Sequence, residues 1–98
     1  MRVGTVIGAE PFPEARRPAL KLRIDFGPLG IRKTSAQITD RYGPEDLIGR
    51  QVVAVVNFPP KQIANFMSEC LVLGSVDDDH VVTLLRTDAP VANGLRIG

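Results

Sequence analysis

Residues 51–74 read QVVAVVNFPPKQIANFMSECLVLG, and the rest of the chain is arranged around them. Val52-Val53-Ala54-Val55-Val56 is a short, β-branched, unbroken apolar run, the pattern of a strand buried on both faces. Asn57-Phe58-Pro59-Pro60 stops it, because proline cannot donate to a ladder and restricts the residue before it. Lys61 to Ser68 is mixed, with Ile63, Phe66 and Met67 set between polar residues. Cys70-Leu71-Val72-Leu73-Gly74 then reads as a second apolar strand. Two buried strands joined by a long, proline-marked, partly apolar connection predict a small β-barrel with a functional loop.

Working back toward the N-terminus, Ala19 to Phe26 alternates cleanly. Leu20, Leu22, Ile24 and Phe26 fall on one face and Lys21, Arg23 and Asp25 on the other, which predicts a half-buried strand. Arg2 to Phe12 alternates less regularly, and Gly4 and Gly8 suggest the bends or bulges of a barrel corner. Gly27-Pro28-Leu29-Gly30 is a turn, so Ile31 to Ile38 is expected to return as a hairpin partner. Pro44 to Gly49 has proline and acids at its start and glycine at its end, the marks of a one-turn helix that plugs the barrel. Beyond the central stretch, Asp77-Asp78-Asp79-His80 reads as a hairpin tip, Val81 to Leu85 as the last long strand, and Val91 to Ile97 as a closing segment.

Ninety-eight residues suit one domain, and 44% hydrophobic with 23% charged residues suit a globular, ordered chain. Nine Gly and eight Pro favour short strands and tight turns. A lone cysteine cannot form an internal disulfide, and with no signal peptide or spanning run in view a cytoplasmic location without membrane insertion is expected. Net charge is only +1, yet residues 1–33 hold seven basic residues against three acidic, which suggests a positive face on a near-neutral domain.

Catalysis finds no support in the residues. Cys70 lies in an apolar strand pattern, where a small buried thiol is expected. Asp77 to His80 lacks the spacing and closing glutamate of a calcium loop. No phosphate loop, dinucleotide fingerprint, nucleophile elbow or zinc spacing occurs, so neither cofactor nor metal is expected. Arg16-Arg17 reads as part of a wet loop. Phe58, Pro59, Pro60, Ile63, Phe66 and Met67 carry more apolar bulk than a loop needs. They suit a barrel cap, a subunit interface or a groove for apolar peptide side chains. Arg32, Lys33 and Ser35 form a basic, hydroxyl-bearing strand face, either simply solvated or suited to nucleic acid.

RVGTVIGAEPFPEARRPALKLRIDFG, the SAQI of Ser35 to Ile38, YGPEDLIGRQVVAVVNFPPKQIANFMSECLVLG and PVANGLRIG together resemble the tRNA-binding-domain family of oligonucleotide-binding folds. NFPP and Phe66-Met67-Ser68-Glu69 are most similar to its CsaA secretion-chaperone branch. The resemblance covers nearly the whole chain. It implies an all-β, five-stranded Greek-key barrel with one or two short helices, a homodimer, and no enzymatic activity. It also implies a short helical segment ahead of Arg-Val-Gly that helps subunits pair; here Met1 abuts Arg2. The family's tRNA-contacting pattern falls on Lys33, Ser35, Lys61, Ser68 and Leu71, with Arg32 beside it. Binders commonly carry Met at the last of these positions, and Glu69 is acidic where many keep small or neutral residues. Both departures favour the chaperone branch. The expectation is a passive, ATP-independent chaperone for unfolded export precursors. Phe58, Pro60, Ile63 and Phe66 would line its groove, and Asn57 and Gln37 would bond to peptide backbone. The rival expectation is a tRNA-shape binder using the basic face.

Overall fold

The alternation of Leu20 to Asp25 becomes β2 (Leu20–Asp25) in the computed structural model, which describes residues 1–98. Leu20, Leu22 and Ile24 are buried and Arg23 is exposed. Burying each such side chain contributes about 1.5–3 kcal/mol. Phe26 continues the inward series at 0% exposure. A 3-10 turn over Gly27–Leu29 reverses the chain, and β3 (Ile31–Ala36) returns antiparallel from Asp25↔Ile31 to Leu20↔Ala36.

The first strand, β1 (Arg2–Pro11), is long because it serves two partners. Its first half pairs with β4 (Gln51–Val55), from Arg2↔Ala54 to Thr5↔Gln51, and its remainder pairs with β2. Between Val6 and Gly8 the register with β2 shifts, so Ile7 is the extra residue of a bulge. A bulge bends and twists the strand, which lets one strand pass between two halves of a barrel. Gly4 sits where two inward-facing side chains close in. A Cβ there would lie 2.5 Å from Ile24 Cγ2 and 2.8 Å from the Phe26 ring.

The short helix α1 (Pro44–Leu47) inserts Leu47 at 0% exposure into the core shared with Val6, Leu22, Phe26, Val52 and Cys70. Asp46 accepts the Gly43 N–H at 2.8 Å through its carboxylate, so that acid has a local structural use. After β4, the Lys61 to Ser68 connection is a hairpin of its own, β5 (Lys61–Ile63) against β6 (Phe66–Ser68), turned at Ala64 with φ 52°.

The expected strand at 70–74 divides. Leu71–Val72 (β7) pairs with β4, whereas Gly74–Val76 (β8) leaves to pair with β9 (Val82–Leu84). The last long strand is therefore only three residues, and that hairpin is held to the barrel by the Tyr42 hydroxyl accepting the Leu84 N–H at 3.0 Å. At its tip, Asp77 Oδ1 accepts the N–H groups of Asp79 and Val81, the expected solvated turn.

The five-stranded sheet runs β3-β2-β1-β4-β7, all antiparallel, and curls into a nearly closed barrel, the all-β architecture expected from sequence. The C-terminal segment lies along β1, with Val3 N–H donating to Leu95 O at 3.0 Å and Ile97 N–H to Met1 O at 2.9 Å. No helix is long and apolar enough to cross a membrane.

Candidate binding groove and basic face

The barrel's end strands, β3 and β7, are not joined by a ladder. Side chains and one turn of backbone join them instead. The Glu69 N–H donates to Lys33 O at 2.8 Å, and Glu69 Oε1 accepts the Lys33 N–H at 3.0 Å. One glutamate thus supplies both the donor and the acceptor that a neighbouring strand would. One layer inward, Thr34 and Ser68 meet hydroxyl to hydroxyl at 2.7 Å, and Thr34 Oγ1 also donates to Cys70 O at 2.6 Å. Ser35 N–H reaches Ser68 Oγ at 3.3 Å. Ser68 is therefore 93% buried and committed to the seam.

Cys70 lies beneath this seam at 1% exposure. Burial is the main cause that pushes its thiol up to about 11, against which the Thr34 hydrogen bond and the Arg32 charge act in the lowering sense. A thiol so protonated and enclosed has no nucleophilic role.

Past Ser35 the seam opens. The space between the end of β3, β7 and the β5–β6 hairpin is a groove of about 940 Å³, predominantly apolar in lining. Of the expected peptide contacts, Gln37, Phe58 and Ile63 line it; Asn57 and Pro60 are exposed on the same connection without lining it. Of the expected tRNA contacts, Ser35, Lys61, Ser68 and Leu71 line the same groove. The two sets are thus interleaved, and Leu71 at 53% exposure is its most open large apolar side chain. Arg16 and Arg17 also line it; the sequence offered no sign that this loop faces the groove.

Phe66 lies elsewhere. Its ring meets Phe12 edge-on, centroids 5.4 Å apart at 61°, with Lys33 Nζ 5.1 Å and Lys21 Nζ 5.4 Å from its centroid. Lys21 Nζ also lies 4.7 Å from the Phe12 centroid. Phe66, Lys21, Arg23 and Lys33 line a smaller hollow of about 300 Å³ over β1 and β2. Arg32 belongs to neither site, since its Nη1 donates to Val56 O at 2.7 Å and ties the start of the proline-marked loop to β3. The interplay of Lys21 with two rings was hidden in the sequence, because it depends on β2 and the β5–β6 hairpin meeting in space.

Comparison with known proteins bears on both surfaces. A family described as "Putative tRNA binding domain" matches residues 1–96. The structure superposes on the chaperone CsaA of Bacillus anthracis with a TM-score of 0.95 at 59% identity, covering 99% of this chain and 88% of that one. It superposes on CsaA of Picrophilus torridus with 0.91 at 49% identity, covering 99% and 89%. A methionyl-tRNA-synthetase-related protein of Pyrococcus horikoshii gives 0.86 at 30% identity, covering 99% and 87%. Curated relatives include the methionine–tRNA ligases of Porphyromonas gingivalis, 37% identical over 97 residues, and Methanocaldococcus jannaschii, 34% identical over 97 residues. In both, 99% of this chain is aligned, yet it spans only 14% and 15% of the ligase. With its expected barrel and its motifs in place from end to end, the chain belongs to the tRNA-binding-domain family.

Proposed function

We propose that this protein is a CsaA-like chaperone of the cytoplasm that binds exposed apolar segments of unfolded export precursors, acts as a homodimer and catalyses no reaction. One observation carries the reading: a solvent-open, mainly apolar groove of about 940 Å³ in a chain 59% identical to a protein named as a chaperone. Its walls include half-buried Phe58 and Ile63 and exposed Leu71, groups able to exchange water for a client's side chains. Binding is passive, and a flexible peptide loses entropy on ordering, so affinity falls in the micromolar range. Met1 and Leu95, exposed at 51% and 49% on the paired terminal segments, supply apolar surface for a second copy.

A second reading, tRNA binding, is favoured by the Lys21–Lys33–Phe66 cluster, where cations surround a partly exposed ring beside the barrel face. The two readings separate in salt. Apolar peptide binding persists between 50 and 200 mM salt, whereas a phosphate-dependent complex weakens steeply over that range. Parallel titrations of a labelled apolar peptide and of tRNA test this. Peptide binding that is absent at both salt concentrations refutes the chaperone reading, and sedimentation as a monomer at micromolar concentration refutes the dimer.

A further inference from the structure

The groove is bordered by main chain as well as side chains. In β3, residues 33 and 35 turn their N–H groups away from β2, toward Glu69 and Ser68, and Gln37 follows directly on the strand's last residue, Ala36. The seam ends before Gln37, whose backbone N–H and C=O take no part in the chain's own hydrogen bonds. Across the groove, Leu73 N–H donates to Val53 O, which makes 53 and 73 the bonded pair and leaves Ala54↔Val72 the non-bonded one. Val72 therefore presents its backbone groups away from β4, on the end strand of the sheet. Both residues line the groove. The free edge of β7 and the chain just beyond β3 thus border one apolar space.

The geometry points to a client bound as an added β-strand, an extended peptide that continues the barrel seam where Ser68 and Glu69 leave off. This rests on the peptide reading above. An extended chain directs N–H and C=O groups to both sides at once, so it can meet Gln37 on one side and Val72 on the other. Its side chains alternate between the apolar floor and solvent, which sets a preference for apolar residues at every second position. Charge narrows the class further. Arg16, Arg17 and Lys61 line the groove and no carboxylate does, so the favoured client carries acidic residues beside its apolar ones.

Fluorescence anisotropy of the full chain tests this with four labelled nonapeptides: one alternating and flanked by glutamates, the same flanked by lysines, and the glutamate peptide N-methylated at alternate residues on one edge or the other. The glutamate peptide should bind, and either methylation should weaken it at least about tenfold, the equivalent of losing one or two main-chain hydrogen bonds. Lys61→Glu should narrow or reverse the preference over the lysine peptide. Unmodified binding that methylation leaves intact overturns strand addition while the peptide reading stands. A preference for the lysine peptide overturns the acidic client. If no peptide binds and tRNA does, strand addition and the peptide reading fall together.

Discussion

The hydroxyls of Thr34 and Ser68 lie 2.7 Å apart in the barrel wall, 0% and 7% exposed, on strands separated by 34 residues of chain. They close the side of the barrel that no backbone ladder closes, and Thr34 extends the link to Cys70 O at 2.6 Å. Thr34→Val keeps the shape but removes the two short bonds, leaving Ser68 Oγ with only the Ser35 N–H at 3.3 Å and Cys70 O at 3.4 Å, at a cost of about 1–3 kcal/mol. Urea unfolding of Thr34→Val, Ser68→Ala and the double variant should give a double variant less destabilised than the sum of the singles. Strict additivity would show that the two hydroxyls do not depend on each other.

Gly4 lets β1 pack tightly against the side chains of Ile24 and Phe26. A methyl group at this position would meet Ile24 Cγ2 at 2.5 Å and the Phe26 ring at 2.8 Å, both in side chains fixed at 0% exposure. Gly4→Ala should therefore destabilise by about 1–3 kcal/mol through overpacking, despite alanine's better entropy. Gly8→Ala is the control, since its nearest contact would be an ordinary 3.6 Å to Arg23 Cβ. Thermal melts of the pair should show a clear loss for the first and little change for the second.

Periodicity made the barrel legible: the alternation of Leu20 to Phe26, the β1 bulge beside Gly8 and the stop ahead of Pro59-Pro60 each describe local backbone, and each reappears in the structure. β4 nevertheless ends at Val55, one residue short of the apolar run, and Gly4 pairs in regular register with Val52. The hairpin at 61–68 was not legible, because Ala64 adopts φ 52° without the glycine that normally signals such a turn. The reading of 70–74 as one strand failed at Leu73, where the chain leaves β4 for a separate hairpin, a choice made by tertiary pairing. The groove residues were named from composition and resemblance together. What sequence could not show is that Phe58 and Phe66, eight positions apart, face different sites, since the hairpin between them turns the second toward Lys21 and Lys33.

Cys70 makes stability depend on alkaline pH. Its thiol ordinarily titrates at 9.0 and is held at about 11 in the fold, chiefly by burial. Between those values the unfolded chain loses the proton and the folded chain keeps it, so the unfolded state gains and stability falls as pH rises. The loss is about 1 kcal/mol per pH unit across that window and is absent below pH 9. Cys70→Ala removes this dependence while lowering stability at neutral pH by leaving a small cavity. Urea midpoints at pH 8 and pH 10 for both proteins check the difference, and a wild-type protein no more alkali-sensitive than the variant refutes it.

The separation of Phe58 from Phe66 gives a pair of substitutions with opposite expected readouts. Phe58 contributes to the groove, so Phe58→Ala should weaken apolar-peptide binding about tenfold, as expected for losing a partly buried aromatic contact, and leave tRNA affinity near its starting value. Phe66 instead stands against Phe12 under two lysine ammonium groups, so Phe66→Ala should spare peptide binding. Loss of its ring frees Lys21 and Lys33 from contacts worth about 0.5–1 kcal/mol each and removes a face on which a base can stack. Any tRNA affinity should then fall while its salt dependence is retained, because the lysines remain. Peptide and tRNA titrations of the two variants, run at one salt concentration, decide the matter: if Phe66→Ala weakens peptide binding as much as Phe58→Ala does, the hollow and the groove are one site and the division between them is wrong.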